Sequence, residues 1–184
     1  METSAAYFIG SKVVHPHHGA GTIVGIQEKS IGDTTHRYYV IRMQAMDRTH
    51  AMELMVPVRR AAELGLRPVS RLSRLRLSLA PCCHPPEEGE IIKDYRARQA
   101  AVTEQLKSGS TEKVTDAVRV LYYVNSRRRL GMVDSRLLDR GMNILASELA
   151  LASSQEIEEA RQEIEQLLAH MLESGPDVEP ETTA

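Results

Sequence analysis

The chain has 184 residues, of which 42% are hydrophobic and 26% are charged, and its formal net charge is −2. This composition is typical of globular proteins and excludes disordered and fibrous classes, and no apolar run approaches the roughly 20 residues that span a bilayer. No secretory signal is visible. The two cysteines are adjacent, a geometry that disfavours a disulfide, so we expect a reducing, cytoplasmic environment. The length slightly favours two domains over one.

The first strong signal lies at residues 10–26, where two apolar runs flank a turn rich in Pro and Gly. Val13 and Val14 end a first strand. Pro16 fixes φ and removes a backbone donor, and we expect Gly19 and Gly21 to supply φ values that other residues resist. This pattern predicts a small β-module that presents a surface to a partner.

Further strand signals follow up to residue 57. The Gly32-Asp33 step predicts a hairpin with arms at 22–30 and 35–43. A strand is expected at 51–56, with Pro57 at its end or at the sheet edge. Residues 59–64 predict a helical turn that ends at Gly65, and the spacing at 68–80 leaves strand and helix unresolved.

The apolar period changes from two to about 3.6 after a segment marked by three prolines at 81–86. It predicts four helices, at about 90–107, 111–125, 134–151 and 154–173. Predicted caps are Ser110 for the second helix, Asp134 for the third and Ser153-Ser154 for the fourth. We interpret Cys82-Cys83-His84 as part of an exposed linker.

Three local patterns suggest chemistry, but each has a simpler explanation. The histidines at 15, 17, 18 and 36 invite zinc, yet they alternate across a Pro turn without regularly spaced acidic or thiolate partners. The glycines at 19–21 lack the helix that should follow a phosphate-binding loop. No motif assembles a nucleophile, a base and an orienting acid, so we predict a protein that is not an enzyme and has no metal or cofactor.

Basic residues cluster in two places in the second half. Lys93, Arg96 and Arg98 surround Tyr95 at the start of the first predicted helix, and Arg127-Arg128-Arg129 lies between the second and third. An aromatic ring flanked by cations at a helix N-terminus suits contact with phosphates and a groove edge. The simpler alternatives are a solvated charged face for the arginine run and a tyrosine packed on a neighbouring helix.

Motifs in both halves resemble those of the CarD/CdnL transcription regulators, in order and spacing, over about residues 7–172. Because two unlike halves agree, the resemblance is more specific than any single motif. The segments that carry it are FIGSKVVHPHHGAGTIVGI (8–26), YYVI (38–41), MVP (55–57), LKSG (106–109), VRVL (118–121) and LLDRGMNILASELALA (137–152).

The resemblance implies a Tudor-like β-module that binds the β-subunit lobe of bacterial RNA polymerase and a helical domain that touches promoter DNA. In this family a Trp wedges into the minor groove at the upstream edge of the transcription bubble, and counting back from Leu106 puts Tyr95 at that position. Lys93, Arg127 and Arg128 of the basic clusters are further candidates for DNA contact. The resemblance itself implies DNA contact without sequence preference by Tyr95, Arg96 and Arg98. It implies polymerase contact by Lys29, Arg37, Arg42 and Met55.

The chain departs from the family pattern at several of these positions. Tyr95 replaces the Trp, Ala97 and Gln99 stand where an Arg and an aromatic are common, and Met55 stands where another Arg occurs. A polymerase-binding adaptor that has lost the DNA wedge therefore remains an alternative. An enzyme or metal protein built on the His-rich turn is a second alternative.

The sequence therefore predicts an α+β protein: a bent antiparallel β-module followed by an all-α domain. The predicted boundaries are 1–80 for the β-module, 81–89 for a linker, 90–173 for the helical domain and 174–184 for an acidic disordered tail. Residues 153–184 hold one basic and nine acidic side chains. We expect a monomeric, cytoplasmic regulator that binds RNA polymerase and promoter DNA but no membrane.

Overall fold

A computed structural model describes residues 7–31, 34–44 and 52–173. It confirms the predicted α+β class, with a five-stranded antiparallel sheet followed by helices. The sheet order is β4-β3-β2-β1-β5. Its strands are β1 (Lys12–His15), β2 (Gly19–Ile31), β3 (Thr34–Met43), β4 (Glu53–Pro57) and β5 (Arg67–Pro68). The predicted turn at Gly32-Asp33 and the start of the strand predicted at 51–56 lie outside the described residues.

The sheet forms where β-branched and aromatic residues alternate, and one of its faces covers a small core. Tyr39 and Ile41 of β3 are fully buried there beside Ile23 of β2. The register shifts between Ile23 and Gly25, and such a bulge bends the strand and increases its twist. Pro57 ends β4 at the sheet edge, as predicted, because an edge strand tolerates a missing N–H donor.

The two turn glycines serve different purposes. Gly19 has a φ of +82°, as the sequence predicts. Gly21 does not have a positive φ, so the expectation for that residue was wrong. A Cβ at Gly21 would lie 2.6 Å from the Arg42 carbonyl oxygen, so this glycine allows β2 and β3 to approach closely.

Among the described residues the structure has five helices: the four that the sequence predicts after residue 90, and one more before them. They are α1 (Leu72–Leu79), α2 (Tyr95–Lys107), α3 (Thr111–Arg127), α4 (Met132–Ser153) and α5 (Ile157–Glu173). Short 3₁₀ turns occupy Val58–Arg60, Ala80–Cys83 and Glu88–Glu90. The segment 68–80, which the sequence assigned to neither strand nor helix, contains the end of β5 and helix α1. None of the described helices is long and apolar enough to cross a bilayer.

Helix boundaries test the predicted caps. Ser110 caps α3 as predicted, since its Oγ accepts a hydrogen bond from the Lys113 N–H at 3.3 Å. Asp134 does not cap α4, which begins after Gly131. Ser154 does not cap α5 either: it takes a left-handed φ of 60° and ends α4, and α5 starts three residues later.

The main core lies among the helices, and it includes α1 and part of the sheet. Leu75 and Leu79 of α1 and Val14 of β1 are buried in the same cluster as the apolar faces of α3, α4 and α5. Cys82 is also fully buried there, so this step of the chain is not the exposed linker that the sequence predicts. Burial raises the pKa of the Cys82 thiol to about 12, which keeps it protonated at neutral pH.

A buried ion pair connects the sheet to the helices. Arg67 of β5 donates two hydrogen bonds to the Glu148 carboxylate of α4, at 2.6 and 2.7 Å. The Ser70 N–H donates to the same carboxylate. Burial raises the pKa of Glu148, but the Arg67 guanidinium and the Ser70 hydrogen bond together lower it by more, so the pKa lies below its usual range. Ser147 adds a second link, because its Oγ accepts from the Ala20 N–H at 2.8 Å.

Candidate nucleic-acid interface

Tyr95 is the first residue of α2, and the residue is 53% exposed. The helix begins there because the Asp94 side chain accepts a hydrogen bond from the Ala97 N–H at 2.8 Å. Arg96 lies beside the ring: its Nε donates to the Tyr95 hydroxyl at 3.0 Å, and its guanidinium carbon is 5.6 Å from the ring centroid. An exposed aromatic residue with an adjacent cation is therefore available for a partner, and Tyr95 is not buried by packing on a neighbouring helix.

The remaining basic residues predicted around Tyr95 differ in their surroundings. Lys93 is exposed, 3.5 Å from the Glu88 carboxylate, and such surface pairs are weak enough to exchange for a phosphate. Arg98 is 12% exposed and binds the Asp134 carboxylate of α4 at 2.5 Å and the Ile92 carbonyl oxygen at 3.0 Å. Arg98 therefore contributes to packing between α2 and α4, and it does not face solvent beside the ring.

The arginine run at 127–129 lies at the end of α3 and is exposed. Arg127 stacks on the Tyr123 ring, with its guanidinium carbon 5.3 Å from the centroid. Helix α4 starts three residues after the run, and its first turn contains Asp134, which binds the first turn of α2. The ion pair thus brings the arginine run and Tyr95 to the same end of the helical part.

Exposed apolar residues at this end were not predicted. Met132 and Val133 in the first turn of α4 are 70% and 50% exposed, and Ile92 before α2 is 36% exposed. Apolar residues at a helix start are usually assigned to the core, so the pattern alone did not distinguish them. Their signal in the sequence was that Met132 and Val133 precede the predicted start of this helix at residue 134.

The residues predicted to contact polymerase divide between the two faces of the sheet. Paired residues share a face, and the pairs are Lys29 with His36, Arg42 with Thr22, and Met55 with Val40. Because side chains alternate along β3, positions 36, 40 and 42 lie on one face, and Arg37 lies on the opposite one. The sheet therefore places Lys29, Arg42 and Met55 on one face, but not Arg37, which pairs with Glu28 at 3.9 Å.

The His-rich turn is committed to contacts within the protein. The His15 Nδ1 accepts a hydrogen bond from the His17 N–H at 3.1 Å. The His17 ring in turn lies 2.6 Å from an Arg140 nitrogen. A cation at that distance opposes a metal ion at His17. Within the described ranges, no group of three His, Cys, Asp or Glu side chains has the arrangement of a metal site.

Comparison with known proteins agrees with the order of the two halves. Residues 7–70 match the family described as the CarD-like/TRCF RID domain, and residues 86–165 match the CarD C-terminal domain. Over 143 residues, the chain is 30% identical to the "Putative transcription factor YdeB" of Bacillus subtilis (strain 168); this covers 77% of the chain and 88% of that protein.

A sheet module followed by a helical part, each matching its own CarD family model, defines a transcription regulator. The chain belongs to the CarD/CdnL family, as the motifs in both halves predicted.

Proposed function

We propose that this chain docks on the β-subunit lobe of RNA polymerase and contacts promoter DNA at the upstream edge of the bubble, where it stabilises the open complex. Docking uses the sheet face with Lys29, Arg42 and Met55. The DNA contact uses the ring of Tyr95, with Lys93, Arg96 and the arginine run on the adjacent phosphates. The proposal assigns the protein to the cytoplasm, where the polymerase acts.

The observation that carries the proposal is the exposed Tyr95 ring at a helix N-terminus with Arg96 beside it and Arg127–Arg129 at the same end of the helices. An apolar or aromatic side chain inserted at a base step partly unstacks it, and cations around it hold the backbone. The ring then binds melted DNA better than duplex. Only such a difference in affinity between open and closed complexes shifts their equilibrium.

Replacement of Tyr95 tests the DNA contact. Tyr95→Ala should shorten the open-complex lifetime by about tenfold, because stacking of a base on an aromatic ring is worth about 1–3 kcal/mol and each 1.4 kcal/mol is a factor of ten. Tyr95→Trp should lengthen the lifetime, since the larger ring covers more of the base. The lifetime is measured by competitor challenge on one promoter, with polymerase affinity measured in parallel.

Polymerase affinity serves as the control, because Tyr95 is on a different part of the molecule from the docking face. Both variants should keep the parent's affinity. Equal lifetimes for the parent and Tyr95→Ala would remove the ring from the mechanism.

A second candidate function is a polymerase-binding adaptor without DNA contact. Two observations favour it: Arg98 is bound to Asp134, and position 97 carries an uncharged Ala. Both leave fewer cations beside the Tyr95 ring. The same experiment separates the two functions. An adaptor would bind polymerase but leave the promoter footprint and the lifetime unchanged, with or without Tyr95.

A further inference from the structure

Helix α2 is anchored unevenly along its length. Its two buried side chains, Val102 and Leu106, both lie in its C-terminal half. The turn that carries Tyr95 has no buried apolar side chain to hold it against the rest of the protein. Asp94 caps the helix, but that bond lies within the same segment and fixes no neighbour. The orientation of the Tyr95 ring therefore depends on a contact other than hydrophobic packing.

The contact that fills this role joins Arg98 to Asp134. Arg98 lies one turn after Tyr95, and its guanidinium reaches the Asp134 carboxylate in the first turn of α4. Its Nη1 also donates to the Ile92 carbonyl oxygen, at 3.0 Å, so the same side chain holds the segment that leads into α2. A planar guanidinium can make both bonds at once with fixed directions, which a point charge cannot do.

The pair is costly for a purely structural contact. Asp134 is 3% exposed in its side chain, and its Oδ1 and the Arg98 Nε are buried without a hydrogen-bond partner among the described residues. An incompletely satisfied buried ion pair adds little stability compared with apolar residues of similar size. Its benefit is geometric, because it specifies one position of α2 relative to α4.

We infer that Asp134 is a positioning residue: through Arg98 it holds the first turn of α2, and so the Tyr95 ring, beside the arginine run. The inference rests on the proposed DNA contact, and it adds the residue that orients the ring. It requires no contact between Asp134 and DNA.

The chain contains no Trp, so Tyr95→Trp places the protein's single indole at the site. In that background, Asp134→Asn should increase the local mobility of the indole, measured as faster decay of time-resolved anisotropy in the free, full-length protein. Arg98→Lys is the second variant. It keeps a buried charge for Asp134 and so preserves folding, but a single ammonium cannot reproduce the fork that also holds Ile92.

The functional readout is a double-mutant cycle on open-complex lifetime. With Tyr95 present, Asp134→Asn should shorten the lifetime by about threefold or more; in the Tyr95→Ala background it should have little further effect, because coupled residues are not additive. Ile164→Val in the core of α5 is the control for lost stability, since this change costs about 0.5–1.5 kcal/mol far from the ring. It should change neither anisotropy nor lifetime.

Three results would overturn the inference: unchanged indole mobility in both Asp134→Asn and Arg98→Lys, an equal lifetime loss with and without Tyr95, or an equal loss in Ile164→Val. If Tyr95→Ala itself leaves the lifetime unchanged, the proposed DNA contact fails. The anisotropy experiment then still decides whether Asp134 orients the ring, so the two failures are distinguishable.

Discussion

His15 lies at the end of β1 with its ring largely buried against its own turn. The rings of His17 and His18 are centred 5.9 and 5.0 Å from it, and Arg140 of α4 approaches the same turn. Burial, together with the nearby charges of His18, His17 and Arg140, lowers the pKa of His15 to about 4. The ring is therefore neutral at pH 7, and its Nδ1 is an acceptor for the turn.

This single residue predicts how stability depends on pH. The unfolded chain takes up a proton at His15 near pH 6.5, whereas the folded chain does so only near pH 4. The stabilisation is therefore present above pH 6.5 and is lost as the pH falls towards 4. We expect the free energy of unfolding to fall by about 1 kcal/mol between pH 7.5 and 5.5, measured by urea denaturation.

His15→Asn keeps an acceptor for the His17 N–H but removes the titrating ring, so it should flatten this slope. His84→Gln replaces an exposed histidine outside this turn and serves as the matched control. A slope in His15→Asn as steep as the parent's would assign the effect to another group.

At the scale of elements, the β2–β3 hairpin determines which charges act together. Lys29 pairs with His36, and alternation along β3 carries Arg42 to the same face and Arg37 to the other. Arg42 also pairs with Glu53 of β4, at 3.2 Å, on that face. Arg37 and Arg42 were both predicted to contact polymerase, but they lie on opposite faces of β3. They therefore cannot contact one flat partner surface together.

The hairpin register predicts an asymmetry in polymerase binding. Lys29→Glu should weaken binding of the full chain to the β lobe by about tenfold, because reversal of an interface charge sets like charges against each other. Arg37→Glu makes the same charge change on the opposite face, and it should keep nearly the parent's affinity. Both are measured by biolayer interferometry with the melting temperature as a check on folding.

Equal weakening by Lys29→Glu and Arg37→Glu would contradict docking through the face that carries Lys29, Arg42 and Met55. It would indicate a nonspecific response to net charge.

At the scale of the whole molecule, the sheet and the helices share a core and a polar junction. Val14 and Ala20 of the sheet are buried with α1 and the helical apolar residues. The Arg67 guanidinium additionally donates to the Gly109 carbonyl oxygen between α2 and α3. The surfaces proposed for polymerase and DNA are therefore connected through buried contacts that run from β5 to α4.

Removal of one partner from this junction should destabilise the whole protein. Glu148→Gln leaves the Arg67 charge without a carboxylate, and we expect a loss of about 3 kcal/mol in the free energy of unfolding, measured with urea at pH 7. Glu53→Gln breaks the exposed pair with Arg42 and should cost less than about 1 kcal/mol. Similar small losses in both variants would mean that the junction contributes little to stability.

Much of the fold was predictable because its signals are local. The arms of the hairpin and the four helices after residue 90 follow from the period of apolar residues. The register of the hairpin was derivable as well: a two-residue turn at 32–33 pairs Lys29 with His36, and this already separates Arg37 from Arg42. The sequence left helix α1 open between strand and helix, because its eight residues carry too few turns to show a clear period.

The amino-acid sequence by itself determined the class of fold, the family and the position of Tyr95, because periodicity and motifs depend on residues that are close in the chain. Only the tertiary structure decided that Arg98 is committed to Asp134, that Cys82 is buried and that Arg67 binds Glu148. Those assignments join residues tens of positions apart, such as the 36 between Arg98 and Asp134. Burial and pairing of a charge depend on which distant element packs against it, and no local pattern records that.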